Sequence, residues 1–231
     1  MRSVKTIFVK QAKDMTKNIG VMIQFIIFPA VALAMTLLVA RPDEYMPSNM
    51  FVTMMGAIFA GMALITSMAG IIAEDIENKS LRLLVMAGIK PHQYLLGVGG
   101  FVLFAATITS VAFALMGGFT AVEFAKFLAI MVAGAATSII IGATIGIFAK
   151  NQQAAMGLAM PIAMVMGFAP MISSFNETVE RFAVVLHTQQ LNIIVNDFDG
   201  GFSRAMAIVG ANIAVIAVLF AVAYGKKGLR G

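Results

Sequence analysis

The stretch AEDIENKSLRLLVMAGIKPHQYLLG, residues 73–97, gathers charged residues at a point where two long apolar runs meet. Those runs, 45–73 and 91–122, contain no Lys, Arg, Asp or Glu. Each is longer than the roughly 20 apolar residues that a helix needs to cross the hydrocarbon of a bilayer. The stretch is therefore interpreted as a connection at the membrane surface between two spans.

The rest of the chain repeats this apolar pattern. Of 231 residues, 60% are hydrophobic and 12% are charged, whereas a soluble domain carries about 25% charged residues. The mean hydropathy is +0.93. We predict an all-α integral membrane protein, a single transmembrane domain over 1–231. Its six expected spans lie at about 19–40, 50–73, 94–120, 127–149, 152–175 and 205–225.

The distribution of basic residues predicts the orientation of these spans. If the N-terminus is cytoplasmic, the inner segments hold 12 Lys and Arg and the outer segments 41–44, 123–126 and 177–204 hold 4. Cytoplasmic loops of membrane proteins carry such an excess. We expect a multi-pass protein of the cell membrane, most simply a bacterial plasma membrane, with both termini cytoplasmic. The net charge of +5 then needs no nucleic acid partner to explain it.

Residues 1–17 have an amphipathic helical pattern. The apolar residues Val4, Ile7, Phe8, Ala12 and Met15 fall on one side of a helix, and the basic residues Arg2, Lys5, Lys10, Lys13 and Lys17 fall on the other. Such a helix lies in the plane of the membrane interface. We predict an interfacial helix on the inner side of the bilayer.

Residues 177–204 form the one long outer segment of the predicted topology. Phe182, Val185, Leu186 and Ile193 keep a roughly helical spacing, and 196–201 has the composition of a turn. We expect a short external helix before the last span, resting on or dipping into the outer leaflet.

The chain lacks the sequence patterns of common catalytic and nucleotide-binding sites. It contains no cysteine and two histidines, of which His92 is predicted on the inner side and His187 on the outer side. No His-Glu-x-x-His, Gly-x-Ser-x-Gly or phosphate-binding Gly-x-x-x-x-Gly-Lys-Ser/Thr motif occurs. We expect no enzyme activity, cofactor or metal in this chain, and any use of ATP would require another chain.

Mild polar residues are distributed through the predicted spans, which hold no charge near the middle of the membrane. Proton- or sodium-coupled carriers usually place an ionisable residue there. As a set, the polar residues could form a path for an amphiphilic substrate; alternatively, each hydroxyl bonds to its own helix. The path residues are Gln24, Thr53, Thr66, Thr107, Ser110, Thr137 and Ser138. Gly142-x-x-x-Gly146 favours close helix contact, for instance at a subunit interface.

The opening stretch itself predicts a compact turn of two helices, which we call the knuckle (residues 74–93). Three carboxylates, Glu74, Asp75 and Glu77, are expected to begin a helix, where they favour the positive end of its dipole. Leu81, Leu84 and Val85 form an apolar stripe along it. Gly88 is suited to ending that helix, Lys90 follows it, and Pro91 is suited to the first turn of the next helix.

The knuckle resembles the first cytoplasmic loop of type-2 ATP-binding-cassette transporter permeases. In order, the motifs are Glu74-Asp-Ile-Glu77, Lys79-Ser-Leu-Arg-Leu-Leu84, Ala87-Gly-Ile-Lys-Pro91 and Tyr94-Leu-Leu-Gly97. The six spans, the N-terminal helix and a fifth span ending in Gly167-Phe-Ala-Pro170-Met-Ile-Ser-Ser are similar to the family plan. His187 departs from it, since many members have proline in that external segment.

The resemblance implies a permease subunit of an exporter for a drug, peptide, lipid or glycan. Two permease copies would pair with two copies of a separate ATPase, which supplies ATP and Mg. The knuckle residues implied in ATPase coupling are Glu74, Asp75, Glu77, Leu81, Leu84, Gly88, Lys90 and Pro91. The alternative reading is an ATP-independent channel or secondary carrier with six spans, which would need no soluble partner.

Overall fold

The computed structural model describes residues 2–40, 46–47 and 49–227, and every regular element within them is helical. The predicted outer loop at 41–44 and the end of the C-terminal tail, 228–231, lie outside the described residues. The helices are α1 (Arg2–Met15), α2 (Ile19–Met35), α3 (Met50–Ile58), α4 (Leu64–Glu77), α5 (Ser80–Met86), α6 (Pro91–Met116), α7 (Ala121–Phe148), α8 (Gln152–Ser173), α9 (Glu177–Ala183), α10 (His187–Asn196) and α11 (Phe202–Lys227).

Six helical segments of the described chain are long and apolar enough to cross a membrane, which confirms the predicted all-α integral membrane class. Two of them include a π-helical turn. Thr36–Ala40 extends α2, and Phe59–Ala63 joins α3 to α4, so that the second span is continuous from Met50 to Glu77.

Helix α7 begins before the predicted start of the fourth span at residue 127. Thr120 is its N-cap, and its backbone N–H donates to Glu123 Oε2 over 2.8 Å. In return, the Glu123 N–H donates to Thr120 Oγ1 over 3.4 Å. This capping box satisfies two free N–H groups at the helix start. Helix α7 therefore includes Glu123 and Lys126, which the charge-free run had excluded.

The second span forms the centre of the bundle. In its most apolar stretch of 18 residues, 89% of the residues are buried, compared with 17% in the corresponding stretch of the last span. Glycines allow α7 to approach its backbone: a Cβ on Gly142 would lie 2.5 Å from the Ile65 carbonyl oxygen, and one on Gly146 would lie 2.8 Å from that of Ala69. The close helix contact predicted for Gly142-x-x-x-Gly146 thus lies between α7 and the second span of the same chain, where only glycine permits this approach.

Helix α8 packs on another side of the second span, again through small residues. A Cβ on Gly61, in the π-helical turn, would lie 2.7 Å from the backbone nitrogen of Gly167. Towards the knuckle, the contact continues through the buried alanines Ala69, Ala73, Ala155, Ala159 and Ala163. Helices in membranes associate through such small residues because their backbones come close enough for dense packing. The α4–α8 contact is therefore rigid over much of its length.

The apolar side of α1 packs against α6. Ile7 is buried, and a Cβ on Gly97 would lie 2.6 Å from the Ile7 Cβ atom. The Phe8 ring lies 5.3 Å from the Phe101 ring in an edge-on arrangement. Lys5 on the opposite side is exposed. The predicted two-sided pattern of α1 is thus confirmed, and its apolar side contacts the chain's own third span.

The segment before the last span contains two short helices, α9 and α10, where the sequence predicted one. The apolar side chains of Phe182 and Val185 are exposed by 78% and 59%. The first four residues of α10 are polar and buried; they are His187, Thr188, Gln189 and Gln190. The His187 Nε2 atom lies 2.7 Å from Ser138 Oγ, in the middle of α7. The polar end of α10 enters the bundle because hydrogen bonds satisfy its side chains there.

We predict that Gly142→Ala lowers the free energy of unfolding by about 1–3 kcal/mol, since the added methyl group overpacks the α4–α7 contact. Gly100→Ala is the matched control, because a Cβ on Gly100 of α6 has nothing within 4 Å. Thermal unfolding of each purified variant, followed by circular dichroism in the same detergent, measures the difference. Equal stability of the two variants would contradict the assigned packing of α4 on α7.

Candidate functional site

The knuckle contains one short helix between two long ones. Helix α4 ends at Glu77, α5 spans Ser80–Met86, and α6 begins at Pro91. Gly88 has a φ of 78°, and the Ile89 N–H donates to the Leu84 carbonyl over 3.0 Å. This is the hydrogen bond that closes a helix whose C′ residue is a left-handed glycine. Gly88 therefore ends α5 as predicted.

The three acidic residues of the knuckle were predicted to begin a helix, and this prediction is wrong. Glu74, Asp75 and Glu77 lie in the last turn of α4. The helix continues past its apolar run, and the Asn78 N–H still donates to the Glu74 carbonyl over 2.9 Å. Carboxylates are unfavourable at the negative end of a helix dipole. Each of them here accepts a hydrogen bond from another part of the chain, which offsets that cost.

Asp75 joins three helices. It is 6% exposed; its Oδ1 accepts from Lys10 Nζ of α1 and its Oδ2 from the Tyr94 hydroxyl of α6, each over 2.6 Å. Burial alone would lower the pKa of Lys10, but its hydrogen bond to Asp75 and the charges of Asp75 and Asp14 outweigh burial and raise it. The raised pKa means that the ion pair stabilises the fold at neutral pH and that the contribution of Lys10 is lost as the pH rises through the raised value.

The other two carboxylates extend these links to two further helices. Glu74 Oε2 accepts from the side-chain amide of Asn18 over 3.3 Å, and Asn18 is also the N-cap of α2. Glu77 Oε2 accepts from the backbone N–H of Gln152, the first residue of α8, over 3.1 Å. A carboxylate at a helix N-terminus satisfies a free N–H and complements the positive end of the dipole. The end of α4 is thus linked to α2 and α8 as well as to α1 and α6.

These contacts close the base of the knuckle. The knuckle leaves the bundle at the end of α4 and returns at the start of α6, and the Asp75–Tyr94 hydrogen bond joins these two points. The two ends of the knuckle are therefore held together by a side-chain contact as well as by the chain itself. The sequence did not predict the roles of Lys10, Asn18 and Tyr94, because their partners among the carboxylates lie 65, 56 and 19 positions away and no local spacing pattern relates them.

Helix α5 directs different side chains inward and outward. Leu81 and Leu84, which the sequence assigned to coupling, are partly buried and pack against the core of the bundle. Leu83 and Met86 are exposed by 65% and 75%, and Lys90 is exposed after the helix. The exposure of Leu83 and Met86 was not predicted, because five of the seven residues of α5 are apolar and an apolar stripe could be drawn on either side of the helix.

Some polar residues of the predicted substrate path form one cluster between α2 and α4. Gln24 Oε1 accepts hydrogen bonds from Ser67 Oγ over 2.8 Å and from Thr66 Oγ1 over 3.3 Å. Thr66 also donates to the Met62 carbonyl over 2.8 Å. The cluster therefore supplies a polar contact between the first two spans.

The remaining path residues do not join that cluster. Three of them donate to carbonyls of their own helix: Thr107 to Leu103, Ser110 to Ala106 and Thr137 to Ala133. Ser138 contacts His187, as described above. Thr53 lines a cavity at the end of the bundle opposite the knuckle. The predicted residues thus occupy several separate places in the fold, and their role in a substrate path stays a prediction.

Comparison with known proteins agrees with this architecture. No curated protein matches the chain with significant similarity. A protein-family model described as ABC-2 family transporter protein matches residues 36–224. That range includes all of the second to sixth spans, together with the knuckle and helices α9 and α10. The chain belongs to the ABC-2 family, the membrane permeases of type-2 ATP-binding-cassette transporters.

Proposed function

We propose that the chain is the permease subunit of an ATP-driven exporter, and that α5 is the element on which a separate ATPase subunit acts. The observation that carries this proposal is that α5 exposes apolar side chains next to a helix end, that of α4, which hydrogen bonds hold in place. Leu83 and Met86 offer an unpaired apolar surface on a short helix. Asp75 and Glu77 tie the adjoining helix end to α1, α6 and α8.

The proposed assembly contains two permease copies and two ATPase copies. Membership of the ABC-2 family supports a partner that binds nucleotide, and the chain has no phosphate-binding loop of its own. ATP and Mg therefore act through the partner. The transported molecule is proposed to be amphiphilic (a drug, peptide, lipid or glycan) and to move outward across a plasma membrane.

Movement from the ATPase would reach the spans by two routes. The first passes through Asp75 to the Lys10 ammonium of α1 and the Tyr94 hydroxyl of α6. The second passes through Glu77 to the first backbone N–H of α8. Because α8 packs closely on the second span from Gly61 to Ala73, a push at its knuckle end would move the two helices together. ATP state and substrate access are then coupled as two states of one bundle.

The orientation test uses single cysteines, since the natural chain contains none. With the knuckle and both termini cytoplasmic, a cysteine at Ser203 reacts with a membrane-impermeant thiol reagent in intact cells. A cysteine at Ser80 reacts only after the cells are opened. Labelling of Ser80→Cys but not Ser203→Cys in intact cells would reverse the proposed topology.

The partner test reconstitutes the purified permease with and without its ATPase. We expect no ATP turnover from the permease alone. Leu83→Ala and Met86→Ala should weaken ATPase binding by about 5- to 30-fold, the effect of losing an apolar contact at the centre of an interface. Leu115→Ala is the control, because Leu115 is 72% exposed near the other end of α6.

Two outcomes would contradict this proposal. If Leu115→Ala weakens ATPase binding as much as Leu83→Ala does, α5 is not the docking element. If proteoliposomes with the permease alone move substrate at the full rate, the ATP-independent channel or carrier is the correct reading.

The transmission test addresses Glu77. Spin labels at Ser80 and Gln153 report the distance between α5 and the start of α8. With Glu77 intact, we expect the two labels to move together when ATP is added, so their distance changes little. Glu77→Ala removes the acceptor and should lower transport by about twofold to tenfold, the effect of one hydrogen bond, while ATPase binding persists. Glu77→Gln keeps an acceptor oxygen and should be milder.

Glu180→Ala serves as the control, because Glu180 is an exposed acid on the external helix α9. Normal transport by Glu77→Ala, with an unchanged label distance in the presence of ATP, would rule out the second route.

A further inference from the structure

The cavity that contains Thr53 lies at the end of the bundle opposite the knuckle. Its volume is about 260 Å³, and its walls come from the start of α3, the end of α8 and the last turns of α10. Ligand sites in proteins are typically a few hundred cubic ångströms in volume and are lined by apolar side chains with a few placed polar groups. The cavity has the size and position of a small binding site between separate elements.

The polar groups of this cavity are neutral and include both donors and acceptors. Asn49 occupies the N-cap position of α3 without a side-chain capping bond, and it lines the cavity. The Asn196 side-chain amide donates to the Asn192 carbonyl over 3.0 Å and to the Asn192 side-chain oxygen over 3.4 Å, and the side-chain oxygens of both residues keep lone pairs as acceptors. Thr53 and Ser174 donate to backbone carbonyls and retain their lone pairs. Hydroxyl groups, which donate and accept, are the natural complement of such a set.

None of the described residues that line the cavity is charged. A neighbouring depression shares Asn49 and Asn196 and includes the carboxylates Glu123 and Asp199. Lys126 donates to Asp199 over 2.8 Å and holds the pKa of that carboxyl below its usual value. These carboxylates lie outside the cavity lining, so an ionic group of either sign in the cavity would find no oppositely charged partner among the described residues that line it. Burying such an unpaired charge is costly.

The apolar part of the lining provides a place for a hydrocarbon chain. Met54 and Met171 belong to it, and methionine side chains adapt to irregular apolar shapes. Phe175, at the rim, is 86% exposed, so its ring face is available for stacking. A neutral polar group and an apolar chain can thus occupy the same cavity.

We infer that this cavity binds an uncharged, hydroxyl-bearing headgroup, such as a sugar or another polyol, that is attached to an apolar chain. The inference rests on the proposed function, and it selects one chemical class from the amphiphiles considered there. The headgroup lies between Asn49, Thr53 and Asn192, and the chain follows the methionines.

Photolabelling of the permease alone, in lipid nanodiscs, tests the inference without its ATPase. Three probes carry the same diazirine-bearing alkyl chain and differ in their headgroup, which is glucosyl, sulfate or trimethylammonium. Mass spectrometry measures labelling of the peptides that line the cavity. The glucosyl probe should label them about tenfold more than either charged probe, and excess alkyl glucoside should compete.

Two variants keep the test independent of a general folding defect. Thr53→Val should reduce glucosyl labelling by about twofold to tenfold, the effect of one lost hydrogen bond. Thr144→Val is its control, because the Thr144 hydroxyl bonds to the Ile140 carbonyl in α7 and lies outside the cavity. Asn192→Asp adds a negative charge to the lining and should shift the preference towards the trimethylammonium probe.

Equal labelling by the three probes indicates ordinary contact with lipid chains and overturns the inference, as does a wild-type preference for either charged headgroup. Selective glucosyl labelling that Thr53→Val reduces and Thr144→Val does not supports it. If the glucosyl probe does not label the cavity selectively, the proposal that the ATPase docks on α5 still stands. If the probe labels the cavity selectively but the permease binds no ATPase, the proposed function is contradicted instead.

Discussion

Direct backbone contact between α4 and its neighbours is the constraint on which the rest of the structure depends. Gly142 brings α7 against the carbonyl of Ile65, and Gly61 brings the second span against the backbone of Gly167 in α8. A bilayer offers apolar surroundings to every apolar side chain, so burial alone provides little drive for helices to associate. Close packing through small residues provides it, and the second span becomes the rigid centre against which both ends of the bundle are positioned.

The hydrogen bonds of the charged groups at the knuckle end depend on the position of that rigid centre. Three carboxylates at the C-terminal end of a helix would be unfavourable in isolation. Because α4 lies between α1, α6 and α8, Asp75 and Glu77 reach donors on all three. The arrangement replaces an unfavourable dipole contact with charge-assisted hydrogen bonds. It also connects the helix end to three other helices at once.

The two ends of the bundle differ in chemistry. The knuckle end combines paired charges with an exposed apolar tip, Leu83 and Met86, which fits contact with a soluble protein. The opposite end has a cavity with neutral polar walls beside α10, whose buried polar residues hold it in the bundle. Between the two ends, the polar side chains mostly bond to one another or to backbone carbonyls. This agrees with the cost of leaving such groups unpaired in an apolar environment.

Composition and local pattern determined the membrane class, the six spans, the two-sided α1 and the end of α5 at Gly88, because each depends on residues close together in the chain. The capping box Thr120-x-x-Glu123 was not predicted, because the fourth span was placed after the charged residues Glu123 and Lys126. Tertiary structure alone decided that the carboxylates end a helix, that Leu84 points inward while Leu83 points outward, and that polar α10 is buried. Those outcomes depend on partners such as Lys10 and Ser138, which lie 65 and 49 positions from the residues they contact, and no local pattern specifies contacts at such separations.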